Sequence, residues 1–292
     1  MASELHKYLC IMLQVNHLHF QYPNAEQATL KDLSFSMKKG EIFGFLGPSG
    51  SGKSTTQKIL YKILKGYEGE LRFDDKPLES WGLDFYNQIG VCFELPNHYS
   101  KLSALENLQF FASFYQVPTK DPMELLAMVG LEQEAKKKVS DYSKGMKMRL
   151  NFIRALIHDP DFLFLDEPTS GLDPNNARMI KDIILRLRDE GKTFFITTHN
   201  MFDADELCDR VALLHRGEMV AQEKPSVLKL RYGKNKVLVQ MKEGGKHEFD
   251  LDRLGENQSF LNLIKSDSIQ TIHSEEASLE DVFIRLTGET LL

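Results

Sequence analysis

The run GPSGSGKST, Gly47 to Thr55, lies between the apolar run EIFGFL and the segment STTQKILYKIL. In that second segment Ile59, Leu60, Ile63 and Leu64 recur at helical spacing. The order is therefore strand, glycine-rich turn, helix. A continuous apolar strand of this kind is buried on both faces, as in a parallel sheet. An ordinary surface turn needs one or two glycines, and this one holds three around a single lysine. Glycines let backbone N–H groups approach a ligand closely. The helix N-terminus behind them adds free N–H groups and a favourable dipole for an anion. Gly47, Gly52, Lys53 and Ser54 match the pattern G-x-x-x-x-G-K-[ST] in the strand–turn–helix setting it requires. Pro48, Ser49, Gly50, Ser51 and Thr55 complete the cradle. Lys53 is expected to reach the terminal phosphates of a nucleoside triphosphate, and Ser54 to ligate Mg²⁺.

The remaining chain supplies the frame. Its 292 residues suffice for one large or two modest domains. LQVNHLHFQY and LKDLSFSM alternate apolar and polar residues and predict half-buried strands. From Asn97 to Ile157 the pattern is mostly helical. DFLFLD and KTFFITTH then predict two strands joined by the helix NNARMIKDIILRLRDEG, with Gly191 closing it. That spacing implies parallel pairing and a right-handed crossover. RVALLHRGEMVAQ predicts a hairpin turning at Arg216 and Gly217. From Ser226 onward the chain reads as a small α+β appendage, with strands KVLVQMKE and KHEFDL and the helix SLEDVFIRLTG.

Composition narrows the partners. A formal net charge of -6 argues against a general nucleic-acid binder, which usually carries a basic field. Cys10, Cys92 and Cys208 are sparse and lack metal-ligand spacing, as expected of reduced cytosolic thiols. No run reaches the ~18 apolar residues of a membrane span. The aromatic stripe Phe110, Phe111, Phe114 and Tyr115 is expected to face the core.

Two further motifs carry chemistry. In FLFLDEP an apolar strand delivers Asp166 as a Mg²⁺-side carboxylate, and Glu167 follows, placed to orient or deprotonate a water. In YSKGMKMRLNFIRALIHDP, Ser143 can cap an amphipathic helix, with Gly145 just inside it. That helix N-terminus would be a second phosphate binder, useful only if a partner's nucleotide fills it.

With these motifs in hand, the sequence resembles the ATP-binding cassette (ABC) ATPases, over roughly Leu13 to Ala221. GPSGSGKST resembles the family's Walker A motif, FLFLDEP its Walker B and YSKGM its signature loop. SGLD, ending at Asp173, resembles the D-loop; TTH, ending at His199, resembles the switch histidine; Tyr22 resembles the aromatic that stacks on adenine. The implied fold is an α/β P-loop NTPase with a mixed parallel core sheet, an antiparallel β subdomain and a helical subdomain at about 97–160. The expected division is an N-terminal extension at 1–11, the ATPase domain at 12–225 and the accessory region at 226–292. The resemblance implies two ATPase subunits, identical or closely related, closing head-to-tail. Each ATP·Mg²⁺ would lie between the Walker A of one and the signature loop of the other. Glu167 would be the general base, His199 would hold the γ-phosphate and the attacking water, and Asp173 would link the two sites. A separate transmembrane permease would hold the subunit at the cytoplasmic face of the cell membrane.

The signature reads YSKGM where LSGGQ is usual, yet it keeps Ser143 and Gly145. Glutamine is usual where Glu94 stands in IGVCFELPNHYSKLSALENL. These departures, with SLEDVFIRLTG, resemble the branch serving ABC-2-type exporters. The alternative is an ABC ATPase of translation or DNA repair, working without a membrane partner. A carboxylate ligates Mg²⁺ more strongly than an amide. Glu94 is thus expected to keep the metal role while changing how coupling depends on Mg²⁺. Glu94→Gln should alter Mg²⁺ affinity or turnover; a titration of ATPase rate against Mg²⁺ that moves neither removes Glu94 from this role.

Overall fold

A computed structural model describes residues 11–232, 236–266, 268–275 and 277–289. The expected N-terminal extension, Ile11 excepted, and with it Cys10, lies outside them. The chain divides into two units, the first ending at Gln222 and the second beginning at Glu223.

In the first unit, alternating side chains make β1 (Ile11–Phe20) and β2 (Leu30–Lys38), which pair antiparallel. The all-buried β3 (Ile42–Leu46) enters a different sheet and is followed by α1 (Lys53–Leu60). β4 (Glu68–Phe73) and β5 (Lys76–Pro77) complete a four-stranded sheet in the order β2-β1-β4-β5. β6 (Ile89–Cys92) precedes three short helices, α2 (Ala104–Ala112), α3 (Pro122–Met128) and α4 (Lys144–Arg154). β7 (Phe162–Asp166), α5 (Pro174–Asp189) and β8 (Thr193–Thr198) form the predicted crossover, and β7 and β8 pair in parallel. After α6 (Met201–Leu207), β9 (Arg210–His215) and β10 (Glu218–Glu223) flank the turn at Arg216 and Gly217. Both turn residues have positive φ, 49° and 82°, as a two-residue hairpin loop requires. The six-stranded sheet runs β10-β9-β3-β8-β7-β6.

The core lies between these two sheets. Phe35 of β2 stacks on Phe43 of β3 at 5.5 Å and contacts Phe45 and Phe195 at 5.3 and 6.0 Å. All three partners are fully buried, and aromatic burial on this scale dominates packing energy. Cys92 and Cys208 are buried free thiols. Burial pushes the Cys92 thiol up to about 12, which makes it a packing residue rather than a reactive one.

Two sequence expectations need correction. α1 ends at Leu60, short of Leu64, because Lys62 adopts a left-handed φ of 65° and leaves Ile63 59% exposed. The aromatic stripe does not face the core. α2 buries Ala104, Asn107 and Leu108 instead, so Phe110 lies on its far side at 38% exposure, and Phe114, just past the helix, is 63% exposed. Phe111 is half-buried, and Tyr115 stacks on His158 at 3.8 Å.

The second unit opens with α7 (Pro225–Tyr232). β11 (Lys236–Met241) and β12 (Lys246–Asp250) follow, then α8 (Gln258–Ile264), β13 (Ile269–Glu275) and α9 (Leu279–Thr287). The three strands form an antiparallel sheet in the order β12-β11-β13. A capping box between Ser278 and Asp281 starts α9, and Arg285 of α9 donates to the Tyr232 carbonyl at 2.9 Å. Sequence patterning missed α7, α8 and β13.

Gly90 of β6 sets how closely α4 approaches the sheet. A Cβ there would meet the Ala155 carbonyl oxygen at 2.2 Å and Pro160 Cγ at 2.9 Å. Backbone cannot yield as a flexible side chain can, so Gly90→Ala should cost about 1–3 kcal/mol of stability. Urea denaturation checks this, and an unchanged midpoint would contradict it.

Candidate nucleotide site

Parallel register brings the predicted residues to one sheet edge. Leu46 of β3 pairs with Thr198 of β8, and Asp166 of β7 pairs with Thr197. Cys92 of β6 pairs with Leu165. The chain therefore leaves the sheet at the same carboxyl edge at Gly47, at Phe93 and Glu94, at Glu167 and at His199. That edge is where open α/β sheets bind ligands.

The loop of residues 47–55 turns tightly into α1. A Cβ on Gly47 would meet the Leu214 carbonyl oxygen at 2.3 Å. Gly52, the N-cap of α1, takes a φ of 108°. Glycine is thus required at both positions by geometry. No side chain caps α1, which leaves its first N–H groups for a ligand. Lys53 is buried and donates to the carbonyls of Gly47 at 2.7 Å and Pro48 at 2.9 Å. The buried Ser51 hydroxyl has no partner among the described residues. The buried ammonium of Lys53 and the orphaned Ser51 hydroxyl on this tight glycine turn fit an anion. Tyr22 reaches this loop, its hydroxyl 3.2 Å from Thr55 Oγ1.

Glu167 is buried at a left-handed φ of 49°. A non-glycine residue stays there only when its surroundings over-determine it, which is common at functional sites. Its N–H donates to the Thr197 carbonyl at 2.9 Å. Its carboxylate accepts from Thr198 Oγ1 at 2.8 Å, from the His199 N–H at 2.9 Å and pairs with His199 Nδ1 at 2.6 Å. Thr197 Oγ1 donates to Asp166. Sequence reasoning missed both threonines; the signal was the hydroxyl pair directly before His199.

Electrostatics tie these groups together. Burial pushes the Lys53 ammonium down, against the pull of the Glu167, Asp166 and Glu94 carboxylates. Burial also raises the Asp166 carboxyl; Glu94 and Glu167 add to that shift, and the Thr197 hydrogen bond and Lys53 oppose it. Glu94 lies on an exposed bend two residues past β6.

The other predicted residues form a second group. Ser143 caps α4, accepting from the Met146 N–H at 3.2 Å. The neighbouring Tyr142 is buried and anchors this turn by donating to the Glu134 carbonyl at 2.8 Å. Asp173 caps α5, accepting from the N–H groups of Asn175 and Asn176 at 3.1 Å. Hydrogen bonds from Asn176 above all hold the Asp173 carboxyl below the usual range. A Cβ on Gly145 would sit 3.7 Å from Leu172, so the α4 and α5 starts are neighbours. Among the described residues, no hydrogen bond or ion pair joins Ser143, Gly145 or Asp173 to the 47–55 loop.

Comparison with known proteins meets this geometry. A family profile described as ABC transporter matches residues 30–170. A fluoroquinolones export ATP-binding protein of Mycobacterium tuberculosis is 51% identical over 96% of this chain and 94% of its own length. The chain belongs to the ABC transporter ATP-binding family. Residues 235–276 match a profile described as the fluoroquinolone efflux ABC transporter C-terminal domain. A bacitracin transport ATP-binding protein of Bacillus licheniformis is 33% identical over 90% of this chain and 93% of that one. Among solved structures, an ATP-binding cassette in a dimeric post-hydrolysis state with ADP and Pi is similar at a TM-score of 0.67. It is 30% identical and spans 73% of this chain and 98% of that one. The fold is that of a P-loop ABC ATPase, and the nucleotide is its substrate.

In this ABC ATPase the ionised Asp166 is a stability liability. Because burial raises its folded pKa, the extra stability of the protonated form is lost as pH rises through that value. Asn keeps an acceptor for Thr197 and removes the charge. Asp166→Asn should stabilise the nucleotide-free chain by about 1 kcal/mol while lowering ATPase activity. Thermal melts beside phosphate release check both; a less stable variant contradicts the reading.

Proposed function

We propose that two copies of this chain, or one copy and a closely related ATPase, close head-to-tail on ATP and drive a separate membrane permease that exports its cargo. The observation that carries this is the Glu167–His199 pair at 2.6 Å on the edge that also holds the phosphate loop. Glu167 takes the proton from the attacking water as the terminal P–O bond breaks and ADP leaves. A carboxylate has roughly four lone-pair sites. Three donors from Thr198 and His199 leave room for that proton. His199 Nε2 has no partner among the described residues and would serve the γ-phosphate.

Oxygen donors and a surplus of acids around Lys53 suit a hard divalent cation. Among the described residues no three acid, His or Cys side chains are arranged to hold a metal by themselves. Ser54, Asp166 and Glu94 would therefore share Mg²⁺ with the phosphates. Mg²⁺ would neutralise the charge that develops on the phosphate oxygens.

Ser143, Gly145 and Asp173 stand apart from the loop of their own chain, which favours their use by a partner's nucleotide. The exposed rings of Tyr99, Phe110 and Phe114, with centroids 4.8 and 4.9 Å apart, offer a permease an apolar seat just past Glu94. Among the described residues no helix is long and apolar enough to cross a membrane. A permease would thus hold the chain at the inner face of the cell membrane. Relatives over most of the chain are named for transport and export, which favours this reading over a free-standing ATPase. The Mycobacterium tuberculosis relative and the match at 235–276 favour a fluoroquinolone-type cargo.

Glu167→Gln should lower turnover roughly 10²- to 10⁴-fold while ATP binding persists and a nucleotide-bound dimer accumulates. Ser143→Arg should abolish that dimer and spare binding to the monomer. Phosphate release and size-exclusion chromatography check both; normal turnover by either variant overturns the mechanism. Fluoroquinolone accumulation in cells carrying wild-type or Glu167→Gln protein tests the cargo alone: equal accumulation removes that cargo and leaves the ATPase reading intact.

A further inference from the structure

A second polar cluster adjoins the same two strand ends. Asp203 of α6 is buried, with its side chain 11% exposed. One of its oxygens, Oδ2, accepts from Thr169 Oγ1 at 2.7 Å and from Asn200 Nδ2 at 3.0 Å. Thr169 lies two residues past Glu167, and Asn200 directly follows His199. The other oxygen, Oδ1, accepts from Lys181 Nζ of α5 at 3.1 Å. Lys181 is 8% exposed and also pairs with Glu206, which takes Arg178 as well.

The cluster continues into the site. The Asn200 N–H donates to Thr198 Oγ1 at 3.0 Å, and Thr198 Oγ1 donates to Glu167 at 2.8 Å. Asn200 Oδ1 meanwhile caps α6, accepting from the N–H groups of Phe202 and Asp203. A small, mostly apolar cavity of about 10 Å³ lies alongside, with Thr169, Thr198 and Asp203 among its lining residues.

A buried ion pair is a poor source of stability, since apolar residues of equal volume often do as well. What it does supply is a fixed carboxylate. Burial lowers the Lys181 ammonium, but hydrogen bonds and charge from Glu206 and Asp203 outweigh it and the group ends above its usual value. Lys181 is thus a permanent cation against Asp203.

We infer that Asp203 is a positioning residue for hydrolysis, tying the turn after Glu167 to the turn after His199 while Lys181 holds its carboxylate in place. Among the described residues it has no hydrogen bond to Glu167 or His199. It acts by fixing two loops that leave separate strands, so that the Glu167–His199 distance is set from behind. The phosphate loop follows β3 and is untouched by this link, so turnover and nucleotide affinity should respond differently. The inference rests on the reading that Glu167 and His199 perform the hydrolysis.

Thr169→Val deletes one hydrogen bond without changing side-chain size, and Thr169→Ser restores it. In the full-length chain, Thr169→Val and Asp203→Asn should each lower kcat about 10- to 100-fold, the scale of a small misplacement of reacting groups. KM and the affinity for a fluorescent ATP analogue should stay within about twofold, the mark of an interaction felt in the transition state. Thr169→Ser should return kcat to the wild-type range. Wild-type kcat in both Thr169→Val and Asp203→Asn, or a fall in affinity that matches the fall in turnover, overturns the inference. So does failure of Thr169→Ser to rescue. Glu167→Gln is measured beside them. If it alone keeps full turnover, the hydrolysis reading is what fails; if it is inactive while the others are normal, only the positioning role fails.

Discussion

The site depends on the parallel pairing of β3, β8 and β7. The register that sets Leu46 beside Thr198 and Asp166 beside Thr197 aligns three carboxyl ends within one turn of chain. None of the three strands carries the whole chemistry. β3 delivers the phosphate loop, β7 the two acids and β8 the histidine. A parallel sheet needs both faces covered. The phenylalanines of the core do this from one side, with Phe35 of the neighbouring sheet lying against Phe43, Phe45 and Phe195. Apolar packing thus fixes the polar geometry at the edge.

That edge holds charge and strain which the core must offset. Lys53 and Glu167 are buried, and Glu167 sits at a left-handed φ. Each feature opposes stability taken alone, through desolvation or through backbone crowding. Together they compensate: the lysine faces three carboxylates, and the strained glutamate gains donors from Thr198 and His199.

Much of this was legible in the sequence, for a physical reason. Loops that meet phosphate need residue types that few other structures need. Gly47 and Gly52 are fixed by a carbonyl contact and a positive φ, so the pattern betrays the geometry. The crossover from β7 through α5 to β8 was equally readable, because each apolar run is long and cleanly bounded. Reading failed where periodicity alone had to choose a face. Apolar residues on α2 line both sides of the helix, and the buried side proved to be Ala104 and Leu108 rather than the larger phenylalanines. It failed again in the second unit, where α8 buries no residue and so has no one-sided pattern to detect. It missed Thr197, Thr198 and Asp203 because hydroxyls and single acids are common everywhere; only the fold shows that Thr197 reaches Asp166, Thr198 reaches Glu167 and Asp203 reaches Thr169 and Asn200.

The separation of the two residue groups carries one further consequence. Tyr22, the 47–55 loop, Asp166, Glu167 and His199 gather at one sheet edge, whereas Ser143, Gly145 and Asp173 gather at the starts of α4 and α5. Lys53 donates to the carbonyls of its own loop, and Ser143 caps the α4 N-terminus. A phosphate would offer Lys53 anionic oxygens in place of neutral carbonyls, and anionic acceptors make the stronger hydrogen bonds. A protein that split its phosphate donors between two surfaces would bind nucleotide loosely alone and tightly across a seam. In the proposed dimer the binding energy of the second half would pull two protomers together, and cleaving the terminal phosphate would withdraw it. Such a geometry would turn the chemistry of one bond into motion between subunits.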